Sequence, residues 1–331
     1  MIAADNMRGE AFFLVGGAGF IGSHFTDRLL ATPTVRRVTL FDNFSSGRAW
    51  HYAHHDKDDR LRVVRGEVGD LAALRAAMDG HDTVIHLASN PDIARAATEP
   101  DIDFREGTQL TQNVVEAMRT TSAKRILYAS GSGVYGDLGE LEAQEDHGPL
   151  VPVSTYGASK LAGEALISSY AYMFGLSGCA FRFGNVVGPR QTHGVGFDFV
   201  RRLLQDPSRL TILGDGTQSK SYIHVHDVVA AVLRANAACP DSFQAYNVAT
   251  GDYITVREIA ELAIEVVGLP RDGTTLSFGT SNRGWKGDVP IVRLDTQRIR
   301  GLGWQCTRNT RDALRASMAA LLDDARSGRL G

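Results

Sequence analysis

A doubly wound α/β fold, a parallel sheet covered by helices on both faces with a smaller second lobe, is predicted by three features of this 331-residue chain. The first half alternates short apolar runs with amphipathic stretches, which is the pattern of βαβ units. A glycine-rich turn, Gly16-Gly17-Ala18-Gly19-Phe20-Ile21-Gly22, separates the first apolar run from the first helical stretch. Tyr156 and Lys160, four residues apart, open a long helical pattern and fall on one of its faces.

Ala11 to Val15 supplies the first strand, within 11–16, and the stretch 20–31 the first helix. Between them, Gly16 allows a tight turn, Gly19 lets a pyrophosphate approach the backbone, and Gly22 lets the helix pack on the strand, with helix N–H groups facing the phosphates. A second strand, 35–41, ends at Asp42, twenty residues beyond Gly22, where a carboxylate accepts bonds from an adenosine ribose and repels a 2′-phosphate. No Arg follows at once, although Arg48 is near, so NAD is favoured over NADP. Further strands are expected near 61–66, 82–88 and 125–130, with a sixth over 179–187. Helices are expected near 70–79, 104–120 and 156–174. After Gly188-Pro189 the pattern changes to mixed loops and helices. The segments 227–238 and 245–250 read as a helix and a strand returning to the sheet. The division is therefore 11–182 with 227–250 for the nucleotide-binding part, and 183–226 with 251–331 for an interleaved substrate lobe.

Composition excludes several classes. The formal charge of −3 gives no electrostatic case for nucleic acid or an anionic membrane as the main partner. Cys179, Cys239 and Cys306 are widely spaced and form no CxxC, so neither a disulfide framework nor a structural zinc site is expected. No run approaches a membrane span and residues 1–10 lack an apolar signal core, so a cytoplasmic protein with a loose N-terminal end is expected. The polar run 51–60 holds His51, His54 and His55; it reads as a solvated loop rather than a metal site, and no metal is expected.

The Tyr156–Lys160 pair carries the chemistry. An ammonium close to a phenol favours phenolate and lowers a pKa of about 10 toward neutrality, which suits proton removal from an alcohol.

Together with the glycine turn and Asp42, the motifs His86-Leu87-Ala88-Ser89, Val134-Tyr135-Gly136, Arg182 to Pro189, Ser221 to Asp227 and Arg283 to Pro290 make the chain resemble the extended short-chain dehydrogenase/reductase family of nucleotide-sugar enzymes, in particular its UDP-glucose 4-epimerase branch. The resemblance covers nearly all of 11–305 and implies a Rossmann-type sheet, bound NAD and a UDP-sugar substrate. It implies that Gly16, Gly19, Phe20, Ile21 and Gly22 hold the cofactor phosphates. Asp42, Asn43, Ser46 and Gly47 would cradle the adenosine ribose, Glu67 and Val68 flank the adenine, and Leu87, Ala88 and Ser89 run beside the cofactor. Tyr156 becomes the base at the sugar 4-hydroxyl, and Lys160 lowers its pKa and bonds the nicotinamide ribose. The family's usual Ser or Thr three residues before the Val of the VYG motif is Gly131 here, so Ser132, in preference to Ser130, is expected to supply the hydroxyl, a water being the other possibility. Gly133 replaces the acidic residue of the related dehydratases, which argues against dehydration. Asn185, Lys220, Tyr222, Arg283 and Asp288 fall at the nucleotide end of the substrate site. Arg190 either reads a sugar carboxylate, favouring UDP-glucuronate, or caps a loop. A homodimer through the helices near 104–120 and 156–174 is a further implication. The alternatives to a UDP-hexose 4-epimerase are a UDP-glucuronate 4-epimerase, another nucleotide-sugar epimerase or dehydratase, and a non-catalytic NAD-binding module.

Overall fold

The computed structural model describes residues 7–270 and 272–329. Seven parallel strands, β1 (Ala11–Val15), β2 (Arg37–Asp42), β3 (Leu61–Arg65), β4 (Thr83–His86), β5 (Arg125–Gly131), β6 (Ser177–Phe183) and β7 (Phe243–Val248), form one sheet in the order β7-β6-β5-β4-β1-β2-β3. Helices α1 (Phe20–Leu30), α2 (Leu71–Met78), α3 (Leu110–Thr120) and α4 (Thr155–Phe174) connect or cover its strands. The unbroken apolar run of β1 follows from burial on both faces. Phe12 and Leu14 pack with Phe25 and Leu29 of α1, while Phe13 and Val15 pack with Val114 and Met118 of α3.

Strand order reverses between β1 and β4, so a crevice opens beyond their carboxyl ends, the place where such sheets bind ligands. The glycine turn leaves β1 there, and Leu87 to Ser89 leave β4 there.

The expected single strand over 179–187 is two strands. Gly184 N–H still bonds the Val248 carbonyl at 3.0 Å, but Asn185 N–H bonds the Ser221 carbonyl at 3.0 Å, and Asn185–Val187 pairs with Tyr222–His224 in a separate ladder. The chain thereby passes from the sheet into the smaller lobe. That lobe gathers Val187, Phe199, Leu210, Tyr222, Ile259 and Leu314 around α5 (Val195–Gln205), α7 (Val256–Val267) and α8 (Thr310–Arg326). Between them α6 (Val225–Ala238) and β7 return to the sheet.

Two other expectations change. The stretch 104–120 begins with a π-helical turn, Phe104–Gln109, before α3. Residues 1–6 of the expected loose end lie outside the described residues, but Met7 packs on the core and the Arg8 carbonyl accepts a 2.7 Å bond from Asn236 Nδ2. The three cysteines are free.

Candidate active site

The glycine turn is built as its spacing requires. Gly16 has φ +80°, a left-handed conformation that favours glycine. A Cβ on Gly22 would lie 2.6 Å from the Gly17 carbonyl oxygen, so α1 can approach the turn only without one. Gly19 is the N-cap of α1 and provides no side-chain bond to its N–H groups, which leaves the helix N-terminus free to receive phosphate; Phe20 and Ile21 open that first turn. Asp42 is buried and tied to the turn, its Oδ2 accepting from Ala18 N at 2.9 Å and its Oδ1 from Phe44 N at 2.7 Å. Each oxygen keeps a lone pair for a ribose hydroxyl. Gly47 lies against Asp42, where a Cβ would come within 2.9 Å of Oδ1. Asn43 donates to Glu67 Oε2 at 3.1 Å, so Glu67 stands beside the ribose-side residues, whereas Val68 is buried in the apolar core. Ser46 is partly exposed between Asn43 and Gly47. These residues fit an adenine dinucleotide.

Across the crevice, α4 starts at an N-cap, Ser154, whose hydroxyl accepts from Gly157 N at 3.1 Å. This fixes Tyr156 and Lys160 in the first turns. Lys160 is buried, donates to the Ala129 carbonyl at 2.8 Å, and holds its ammonium 5.4 Å from the centre of the Tyr156 ring. The pairing is present, but the expected lowering of the phenol pKa is not. Burial pushes Tyr156 up to about 12, the Ser89 hydroxyl pulls it partly back, and the Asp103 charge adds to the rise. Burial also brings Lys160 down to about 8, against the pull of Asp103.

Of the two hydroxyls expected to assist the phenol, the structure commits Ser130 elsewhere. Ser130 Oγ is committed to Glu164 Oε1 at 2.5 Å, inside a buried network in which Arg182 meets Glu164 Oε2 at 2.7 Å and the Tyr135 hydroxyl at 2.9 Å. Ser132 lines a small cavity with Tyr135, Leu138 and Leu294. A Cβ on Gly131 would meet open space. Ser89, which sequence reasoning placed only beside the cofactor, faces the Tyr156 phenol closely enough to lower its pKa; Leu87 and Ala88 continue β4 there by donating to the Val15 carbonyl at 2.9 and 3.0 Å. Asp103 was missed, because an acid in a polar stretch carries no sequence signal of burial.

Toward the smaller lobe, Lys220, Arg283 and Asp288 come together. Lys220 pairs with Asp288, whose Oδ2 accepts from Gly284 N at 3.0 Å, and Arg283 pairs with Asp137. Asn185 is exposed, with Nδ2 on the Ser221 carbonyl at 3.2 Å. Two expectations are corrected. Tyr222 belongs to the apolar core of the lobe rather than to a substrate surface. Arg190 does not reach the sugar end: its guanidinium donates to the His51 carbonyl at 2.7 Å and pairs with Asp27 on the flank of α1, which is the loop-bracing alternative. Nor is 51–60 simply a solvated loop. His51 is fully buried and donates to the Ala18 carbonyl at 2.8 Å, while His54 and His55 both share Asp27 Oδ1. Asp27, His54 and His55 are the one group among the described residues whose side chains converge closely enough for a metal ion, and Arg190 competes for the same carboxylate.

A glycine turn at the switch point of a parallel sheet, a buried carboxylate tied to that turn and a buried tyrosine–lysine pair define a dinucleotide-dependent enzyme of the short-chain dehydrogenase/reductase class. The chain belongs to the NAD dependent epimerase/dehydratase family, which it matches over residues 12–249. It is 33% identical over 301 residues to a UDP-glucose 4-epimerase of Mycolicibacterium smegmatis, covering 88% of this chain and 92% of that one. A dTDP-glucose 4,6-dehydratase of Actinoplanes sp. is 31% identical over 314 residues, with 92% and 96% covered. Among solved structures, a UDP-galactose 4-epimerase superposes with a TM-score of 0.83 at 34% identity, covering 95% of this chain and 99% of the other. Among the described residues no helix is long and apolar enough to cross a membrane.

Proposed function

We propose that the chain is an NAD-dependent UDP-hexose 4-epimerase of the UDP-glucose/UDP-galactose type, with Tyr156 as its acid–base group. The observation that carries this reading is the convergence of Tyr156, Lys160 and Ser89 on the crevice beside the glycine turn. NAD, held by the glycine turn, Asp42 and Asn43, supplies the hydride acceptor and donor. Tyr156 takes the proton of the sugar 4-hydroxyl and later returns it to the same oxygen, after the 4-keto sugar has turned its other face to the crevice. Lys160, bonded to Ala129, keeps a positive charge under the phenolic ring and stabilises the phenolate as it forms. Lys220, Arg283 and Asn185 form the nucleotide end; both cations hold carboxylate partners that a diphosphate would replace, and Arg283 offers the forked donors that suit it. Elimination finds no acid at Gly133, and the buried Asp103 is committed to Asn90 and Thr155, which favours epimerisation over dehydration. The UDP-glucuronate alternative lost its carrier when Arg190 turned to Asp27.

A second copy docks on α3 and α4 in this proposal. Phe104, on the π-helical turn before α3, is 61% exposed, and Tyr172 and Met173 on α4 are 94% and 67% exposed, an apolar surface suited to an interface. The test of the activity is anomeric-proton NMR of the purified protein with equal UDP-galactose and UDP-galacturonate, without added cofactor. UDP-glucose signals alone support the reading; UDP-glucuronate alone, or no product, refutes it.

A further inference from the structure

Asp103 lies at the entry to the π-helical turn Phe104–Gln109, only 1% exposed, and its carboxylate joins two segments distant in sequence. Oδ1 accepts from Asn90 Nδ2 at 2.9 Å, and Oδ2 accepts from the Thr155 hydroxyl at 2.6 Å. Asn90 follows Ser89 and Thr155 precedes Tyr156, so the reacting phenol and the Ser89 hydroxyl that lowers its pKa are each tied, through a neighbouring residue, to one carboxylate. Both Asn90 amide hydrogens are used, since Nδ2 also reaches the Asp92 carbonyl at 2.9 Å, and Oδ1 accepts from Asp92 N at 3.0 Å. The π turn fixes the approach: it packs on α4, and a Cβ on Gly107 would lie 2.6 Å from Ser159 Oγ.

We propose that Asp103 is a positioning residue, a buried clamp that fastens the Ser89 turn to the first turn of α4 and so holds the Ser89 hydroxyl on the Tyr156 phenol, where it stabilises the developing phenolate. The inference rests on the reading of Tyr156 as the base. The clamp is also electrostatic, since the Asp103 carboxylate favours protonated Lys160 and the neutral phenol. The other groups facing the pair are Ser89 from the β4 end, Tyr128 from β5, and His86 from β4 through Lys160.

The test compares Ser89→Ala, Ser89→Thr, Asp103→Ala and Asp103→Asn with the unaltered protein. Steady-state epimerisation of UDP-galactose is one readout. Ser89→Ala is expected to lose about 10²-fold in kcat, the loss typical of one donor at a developing oxyanion, with KM within about twofold, and Ser89→Thr to recover most of it. Asp103→Ala should lose a similar factor because the clamp opens. Asp103→Asn keeps the bond from Asn90 and can hold Thr155 only by donating its amide to the Thr155 hydroxyl oxygen, so it should retain more turnover than Asp103→Ala and move the acid limb of the kcat profile to lower pH. Two further readouts need no turnover. The infrared C–O band of ring-labelled Tyr156, located by difference against Tyr156→Phe, should move in Ser89→Ala and Asp103→Ala and stay in Ser89→Thr. The Lys160 amine, followed by NMR of labelled lysine, should titrate lower in Asp103→Asn. An unmoved band in both alanine variants, or an unmoved Lys160 titration, overturns the clamp. Absence of epimerisation by the unaltered protein would sink the functional reading while the spectroscopic arms still decide the clamp.

Discussion

Acid should unfold this protein near pH 5, because four imidazoles are built into its interior in the neutral form. His24 is locked by geometry: Nε2 bonds the Pro189 carbonyl at 2.9 Å and Nδ1 faces the Arg190 guanidinium at 3.2 Å, so a second ring proton has no place. His51 uses Nδ1 on the Ala18 carbonyl and His86 uses Nε2 on Thr111; the other nitrogen of each ring is buried with no partner among the described residues. His224 accepts from His226 N through Nδ1 at 3.2 Å. Burial, the largest cause in each case, takes His24 and His86 to about 3 and His51 and His224 to about 4. The unfolded chain titrates these rings near 6.5, so between that pH and the folded values it binds more protons than the native state and stability falls as pH falls. At pH 5 each ring costs about 2 kcal/mol relative to neutral pH, about 8 kcal/mol for four, which is comparable to the whole stability of an ordinary domain. Asp42 and Glu145, raised by burial, oppose the trend between their raised folded values and their unfolded ones and contribute nothing below these, and Asp27, lowered to about 2, adds to it only below about pH 4. Urea unfolding at pH 7.5, 6.5, 5.5 and 5.0 measures the slope. A limiting slope approaching about 5 kcal/mol per pH unit is expected, since each bound proton contributes about 1.4. A slope corresponding to fewer than two protons would show that these rings are not neutral in the folded protein, and the reasoning fails.

Replacing Tyr156 by Phe should lower turnover by about 10²–10⁴-fold with fold and dinucleotide binding retained, because only the proton acceptor is removed; near-normal turnover would rule Tyr156 out as the base. Asp42→Ala should relax the preference for NAD over NADP in binding titrations and cost about 2 kcal/mol, since the Ala18 and Phe44 N–H groups lose their acceptor. Arg182→Leu should destabilise by about 3–5 kcal/mol in urea, because Glu164 is left charged and 5% exposed; adding Glu164→Met should return most of that loss. Gly131→Ser should be tolerated or slightly stabilising by thermal melt, since its backbone is extended and its Cβ direction is open; a large loss of Tm would contradict that geometry.

The sheet was legible because its signals are local and redundant. An apolar run such as Phe12 to Val15 can only be a strand buried on both faces when a glycine turn and an amphipathic helix follow it. The cofactor turn was legible for the same reason, since Gly16 and Gly22 answer to backbone constraints that no other residue meets. What stayed hidden depends on direction in space. Along β5, alternation sends the Ser130 side chain to Glu164, whereas Gly131, one residue on, faces open space; that difference follows from the register of the sheet, not from the residue types. Arg190 looked like a sugar reader because the resemblance put it at the sugar end, where a guanidinium suits a carboxylate, but its backbone, with φ 65°, and its side chain turn to Asp27 and His51. The burial of His51 was equally invisible, since a polar run reads as solvated unless something distant covers it.

Substitutions around the reacting phenol make physical sense together. A side-chain hydroxyl at 131 is absent, Ser130 is withdrawn into the Glu164–Arg182 network, and Ser89 stands on the phenol from the opposite wall of the crevice. Ser89 sits on a turn, which is softer than the end of a strand, and a turn needs an external tether before it can hold a hydroxyl in place. Asp103 supplies that tether with charge-assisted bonds, at the cost of a buried negative charge near the base that opposes phenolate formation. Lys160 offsets that charge. The acid–base group is therefore held between a cation and an anion whose effects oppose each other, and losing either should move its titration in opposite directions.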